Sequence, residues 1–199
     1  MPYVTVAKAH AREEIVKGSR FVAFVTPVQS VDDALTRLGE VRTQHAEATH
    51  NPYAYRVGPA LRFSDDGEPG GTAGRPMLET LHKRGLDFVL GVVTRYYGGT
   101  KLGAGGLVRA YSGLLARALD EAGVVTVRET VTCTVSAPFG DADAVYRLLG
   151  VWAGVHKGEA AYTAAGLELA VTLFADDEKP LADALTEATR GGAVLKRAV

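Results

Sequence analysis

An apolar, β-branched run, LDFVLGVVTRYY (residues 86–97), leads through Gly98 to Gly106, five glycines in nine residues, into a segment of helical period. There Leu107, Ala110, Tyr111, Leu114, Leu115, Ala118 and Leu119 recur at i, i+3, i+4. The first run reads as a buried central strand and the second as a helix with one face on a sheet, stopped by Gly123. So little side chain at a strand-to-helix junction permits positive φ and leaves backbone N–H groups with no Cβ in front of them. At a helix N-terminus those groups, with the helix dipole, favour an anion. Two readings of the glycines stand: a tight turn with close helix-to-sheet packing, or a binding seat as well.

The familiar phosphate loops do not match. GGTKLGAG lacks the Gly-Lys-Ser/Thr end of a Walker A loop, and GAGGLV has no glycine at the last position of G-x-G-x-x-G. The neighbours nevertheless suit a negatively charged ligand. Arg95, Lys101 and Arg109 place cations before, within and just after the bend, while Tyr96 and Tyr97 add flat faces with hydroxyl tips. With the backbone at Gly98, Gly99, Gly103, Gly105 and Gly106, and with Arg75 upstream, they form a candidate surface for phosphate or nucleic acid.

A second polar concentration is HNPYAYRVGPALRFSDDGEPGGTAGRP (residues 50–76). Asp65, Asp66 and Glu68 could hold Mg²⁺ beside the cationic loop, with His50 as acid or base, which describes a hydrolase or phosphoryl-transfer enzyme. The competing reading is a turn, because Asp-Gly and Glu-Pro-Gly are turn formers and the carboxylates have no recognised ligand spacing. No metal and no cofactor are assigned. A third reading packs the two loops into a clasp, the carboxylates bonded to Arg75 or to free amides. His45 and His50 read as structural histidines, and Tyr53 and Tyr55 share one face of a strand.

The rest of the chain frames these loops. YVTV and a hairpin through Lys17-Gly18-Ser19 come first, then a helix from Val31 to about Ala48 capped by Ser30, a strand in NPYAYRVG and a helix in MLETLHKRG. After the glycine-loop helix, VTCTVSA, DADAVYRLLG, a strand-like stretch from Val151 to Ala165, LELAVTLF, DEKPLADALTEATR and AVLKR read as βαββαβ, the ferredoxin-like succession. The fold class is α+β in two domains, residues 1–128 and 129–199. The first carries 16 Lys+Arg against 13 Asp+Glu and the second 6 against 10, so any anion site belongs to the first. No apolar stretch approaches the roughly 18 residues of a membrane span, and no secretory h-region is present, so a cytoplasmic location with no membrane partner is expected. Cys133, the sole cysteine, reads as a buried small hydrophobe.

Taken in order and spacing, HAEATHNPYAYRVG, RFSDDGEPGGTAGRPML and VVTRYYGGTKLGAGGLVRAYSG closely resemble the signature of the IMPACT/YigZ family. SRFVAFV is similar to the family's first strand and residues 135–197 to the small C-terminal domain of its bacterial members. Pro52 stands where the family often has cysteine, so a thiol role at that position does not carry over. The resemblance implies a first domain with the fold shared by RNase PH and the second domain of a small-subunit ribosomal protein. It implies a second domain like the ferredoxin-like C-terminal domains of elongation factor G. Eukaryotic relatives regulate translation initiation by competing for the activator of an amino-acid-starvation kinase, but they use an additional N-terminal domain, and that partner is not transferred. The expected function is a translation-associated regulatory or nucleic-acid-binding protein acting on RNA or the ribosome, with the Mg²⁺-dependent hydrolase or phosphoryl-transfer enzyme of the Asp65/Asp66/Glu68 loop as the alternative. A protein partner is expected at the acidic second domain.

Overall fold

A computed structural model describes residues 2–198. The chain divides into two compact units, Tyr3–Val127 and a second that begins at Arg128.

The first unit contains β1 (Tyr3–Val6), β2 (His10–Val16), β3 (Ser19–Pro27), α1 (Val31–Gln44), β4 (Tyr53–Val57), β5 (Ala60–Ser64), α2 (Gly74–Lys83), β6 (Val89–Tyr96), α3 (Ala104–Ala122) and β7 (Val124–Val127). Five strands form an antiparallel sheet in the order β2-β3-β6-β4-β5, and β1 pairs separately with β7. The apolar run of β6 takes the central position, where both faces need hydrophobic cover. Its alternate residues serve two cores. Val89 and Val93 pack with Met77 and Leu81 of α2 and with Tyr111, Leu114 and Leu115 of α3, whereas Leu90 and Val92 pack with Ala34, Leu38 and Val41 of α1. Gly91 lies between Val89 and Val93, and a Cβ there would stand 2.7 Å from Leu115 Cδ1, so its bareness lets α3 approach the sheet.

Local chemistry explains the boundaries. Lys17 and Gly18 take φ of 47° and 81°, the paired left-handed residues of a tight hairpin, and Ser19 already belongs to β3. Ser30 accepts the Asp33 N–H at 3.1 Å and caps α1. That helix ends at Gln44, short of the expected Ala48, because His45 leaves helical geometry and its carbonyl takes the Ala48 N–H in a turn. α2 starts at Gly74, three residues before the expected Met77, with Pro76 in its first turn, where a missing N–H is harmless.

The second unit runs β8 (Thr130–Ala137), α4 (Ala142–Val151), β9 (His156–Thr163), β10 (Gly166–Phe174), α5 (Glu178–Ala188) and β11 (Val194–Arg197), the βαββαβ succession. Its antiparallel sheet has the order β11-β8-β10-β9. Val145 and Leu149 of α4 and Leu181 and Leu185 of α5 cover the apolar face of β8 and β10. Cys133 lies in this core, where burial pushes its thiol pKa up. Among the described residues, no helix is long and apolar enough to cross a membrane.

Candidate anion site

The glycine bend starts from a rigid base. Arg95 donates its backbone N–H to the His50 carbonyl at 2.8 Å, and its own carbonyl accepts the Thr49 N–H at 2.9 Å. Beyond it the Tyr97 N–H donates to Thr49 Oγ1 at 3.0 Å and the Gly98 N–H to Ser19 Oγ at 3.2 Å. Gly98 crosses the β2-β3 turn so closely that a Cβ would stand 1.9 Å from the Gly18 carbonyl oxygen. This first half of the bend is structural.

The second half is open. Gly103, at φ 74°, precedes α3 and offers no side-chain cap. The Leu107 N–H is the first of the helix to find an acceptor, the Gly103 carbonyl at 2.9 Å. Among the described residues, the amides of Ala104, Gly105 and Gly106 have no partner, and Lys101 beside them is exposed and forms no ion pair. Gly99 is also exposed, at φ 86°.

Three expected ligand residues have partners within the protein. Arg95 is buried instead of offered to a ligand: its Nη1 donates to Glu68 Oε1 at 2.7 Å and its Nη2 to Ser19 Oγ at 3.3 Å. Its guanidinium also lies over the rings of Phe21 and Tyr97. Tyr96 turns to α1, where its hydroxyl and His45 Nδ1 are 2.8 Å apart, beneath the Arg20 guanidinium. Arg75 pairs with Glu79 along α2, not with the loop carboxylates. Tyr111 donates its hydroxyl to Glu68 Oε1 at 2.5 Å, and burial, reinforced by that carboxylate, drives the phenol pKa far upward.

Each carboxylate of the acidic loop has protein partners. Asp65 accepts the N–H groups of Gly71, Ala73 and Gly74, capping α2 from nine residues before its first residue in place of the missing N-cap side chain. Asp66 accepts the Asn51 N–H at 2.6 Å and pairs with Arg42 at 3.0 Å. Glu68 joins Arg95 and Tyr111. Among the described residues, no three or more His, Cys, Asp or Glu side chains are grouped to hold a metal. The contacts of Asp65, Asp66 and Glu68 have the form of a clasp, through Arg95 instead of Arg75.

The two loops nevertheless meet. Thr49 and His50, Glu68 and Pro69, Arg95, Tyr97 and Lys101 to Ala104, with Leu107, line one cavity of about 530 Å³. His50 Nδ1 lies 2.8 Å from the Asp66 carbonyl oxygen, which can only accept, so Nδ1 carries the proton and Nε2 the lone pair of the neutral ring. Across the first turn of α3, a second cavity of about 280 Å³ is lined by Val16, Lys17, Leu102, Gly106, Arg109, Ala110 and Arg117. Arg109 thus faces that neighbour, together with Lys17. Sequence reasoning missed Lys17, whose place beside α3 follows only from the hairpin packing on the bend, and the Glu68–Arg95–Tyr111 contact, whose partners are 27 and 43 residues apart.

Comparison with known proteins places the same region. The Impact N-terminal domain family matches residues 17–119. An "IMPACT family member in pol 5'region" from Thermus thermophilus is 44% identical over 178 residues, covering 89% of this chain and 97% of its own. YigZ, an IMPACT family member of Escherichia coli strain K12, is 43% identical over 122 residues, covering 59% of this chain and 59% of its own length. A crystal structure described as that of a hypothetical protein aligns over 100% of this chain and 98% of its own, with a TM-score of 0.66 and 32% identity.

Proposed function

The chain belongs to the IMPACT family, and from that premise we propose that it is a translation-associated binding protein whose first unit seats RNA phosphates at the N-terminus of α3. One observation carries the reading. Among the described residues, the amides of Ala104, Gly105 and Gly106 have no partner and lie beside exposed Lys101, with Lys17 and Arg109, in no ion pair among those residues, across the helix turn, so open donors, helix dipole and cations coincide. Tyr97, with 47% of its surface exposed at the cavity wall, supplies a ring on which a base can stack. In this reading the first unit has the RNase PH and ribosomal-protein fold. The second is ferredoxin-like and meets a protein through the exposed stacked rings of Phe139 and Tyr162.

Salt-titrated binding of a single-stranded RNA oligonucleotide tests the seat. Three phosphate contacts, at Lys17, Lys101 and Arg109, give a slope of log K against log salt of about −2, or roughly a twentyfold loss between ~50 and ~200 mM salt. Lys101→Ala is expected to flatten the slope by about 0.7. A slope that Lys101→Ala leaves unchanged removes this site from the reading.

A further inference from the structure

The seat is rich in donors, whereas His50 brings an acceptor to the same cavity. The backbone of His50 is tied to β6 by exchange with Arg95, and its ring is tied at Nδ1 to the Asp66 carbonyl. Asp66 holds that carbonyl in place at φ 46°, a strained position for a non-glycine residue, secured by the Asn51 amide and Arg42. Gly67 follows at φ 87°, and a Cβ there would stand 3.1 Å from His50 Nδ1. Three constraints thus fix one imidazole in the cavity wall, and with Nδ1–H turned to the Asp66 carbonyl the neutral ring presents Nε2 as an acceptor that has, among the described residues, no partner. Beside it, Arg95 and Tyr111 both donate to Oε1 of Glu68, which leaves the other carboxylate oxygen of this cavity-lining residue unbonded among the described residues.

A phosphate has no proton to give either acceptor at neutral pH. The ribose hydroxyls next to it do. Building on the RNA reading above, we propose that the cavity takes one ribonucleotide unit and that His50 Nε2 accepts the hydrogen bond of its 2′-hydroxyl, so that the protein distinguishes RNA from DNA. The phosphate rests on the α3 amides and Lys101, the base lies against Tyr97, and the ribose falls between them at the His50 and Glu68 wall. A volume of about 530 Å³ suits one nucleotide unit, and the 2′-hydroxyl is the group by which a protein separates the two nucleic acids at a given position.

The test measures binding of one sequence as RNA, as DNA and as 2′-O-methyl RNA, with the corresponding ribonucleoside 5′-monophosphate as a fourth ligand. His50→Asn is the informative variant: its side-chain amide can still donate to the Asp66 carbonyl, but nothing stands at the Nε2 position. His50→Gln restores a polar acceptor there, and thermal melting of each variant shows that it is folded. Expected are RNA binding on the order of tenfold tighter than either analogue, loss of that ratio in His50→Asn through weaker RNA binding alone, and partial return in His50→Gln. Competition by the monophosphate supports a cavity filled by one unit. Equal binding of all three strands overturns the inference and leaves the phosphate seat standing, as does a ratio that survives in folded His50→Asn. Binding of none of them overturns both readings.

Discussion

Replacing Glu68 with glutamine tests how the two loops are held together. The carboxylate side chain is 2% exposed and the Arg95 side chain 6%, so the pair is effectively out of water. Glutamine preserves the shape and an acceptor for Tyr111 but removes the charge that balances the guanidinium. Arg95 would then keep neutral acceptors at the glutamine and Ser19 oxygens and the aromatic faces but no balancing charge, and its Nε already has no partner among the described residues. Unbalancing a buried pair typically costs about 3–5 kcal/mol, and glutamine's retained hydrogen bonds place the expected loss near ~3 kcal/mol. Against a typical domain stability of about 5–15 kcal/mol this is large, and for a unit of this size it lowers the melting temperature by roughly 10–15 °C.

Arg95→Met should lose a comparable amount by stranding Glu68. The double variant removes both charges and should recover most of it, giving a coupling of at least ~2 kcal/mol in the cycle. Urea unfolding provides the assay without dividing the chain. Trp152, the single tryptophan, lies in the second unit, whereas six of the eight tyrosines lie within residues 3–127. Tyrosine near-UV dichroism therefore follows the first unit. A loss below ~1 kcal/mol in Glu68→Gln, or effects that add within ~0.5 kcal/mol across the cycle, would refute a charge-balanced clasp.

Two further outcomes follow from the same geometry. Gly98→Ala drives a methyl group into the Gly18 backbone, which has no flexible end to yield, so several kcal/mol of stability should disappear in a urea titration; a loss under ~1 kcal/mol contradicts the crossing. His45 is held below its ordinary pKa of 6.5, first by burial and then by Arg20, so the unfolded chain binds its proton more readily. Its contribution is therefore complete above about pH 6.5 and lost as the pH falls through the depressed value. The decline in melting temperature from about pH 7 to 5 should be shallower in His45→Gln, and an identical decline would show that this histidine is not responsible.

What was legible in the chain was periodicity. The β6 run and the α3 stripe predicted their elements because burial on two faces and on one face leaves different patterns. The unassigned β5 and β7 have no such pattern. β5 is an edge strand whose middle residues are exposed, and β7 exists only because β1 offers it a partner. At the candidate site, the open backbone of the glycines beside Lys101 was readable because backbone exposure is a local property. The role of Arg95 was not, since an arginine before a glycine bend looks the same whether it meets solvent or a carboxylate 27 residues away. His50 was readable only as a polar residue; its tautomer depends on the Asp66 carbonyl, which no sequence spacing records.

In the proposed reading, the neutralisation of Arg95 decides what kind of anion the site would hold. With that guanidinium matched to Glu68, the positive field comes from Lys101, the α3 dipole and the two cations across the turn. No single point holds enough charge to bind an isolated phosphate tightly, because the amides of residues 104–106 must also compete with water for it. Leu102 lines both cavities, Gly103 belongs to one and Gly106 to the other, so the first turn of α3 is the ridge between them. A ligand with repeated phosphates can touch Lys101 on one side and Lys17 and Arg109 on the other while crossing the open amides. Inorganic phosphate can reach only one side. The arrangement therefore favours a strand over a single ion, and an oligonucleotide shortened until it spans one cavity alone should lose the Lys17 and Arg109 contribution to its salt slope while keeping that of Lys101.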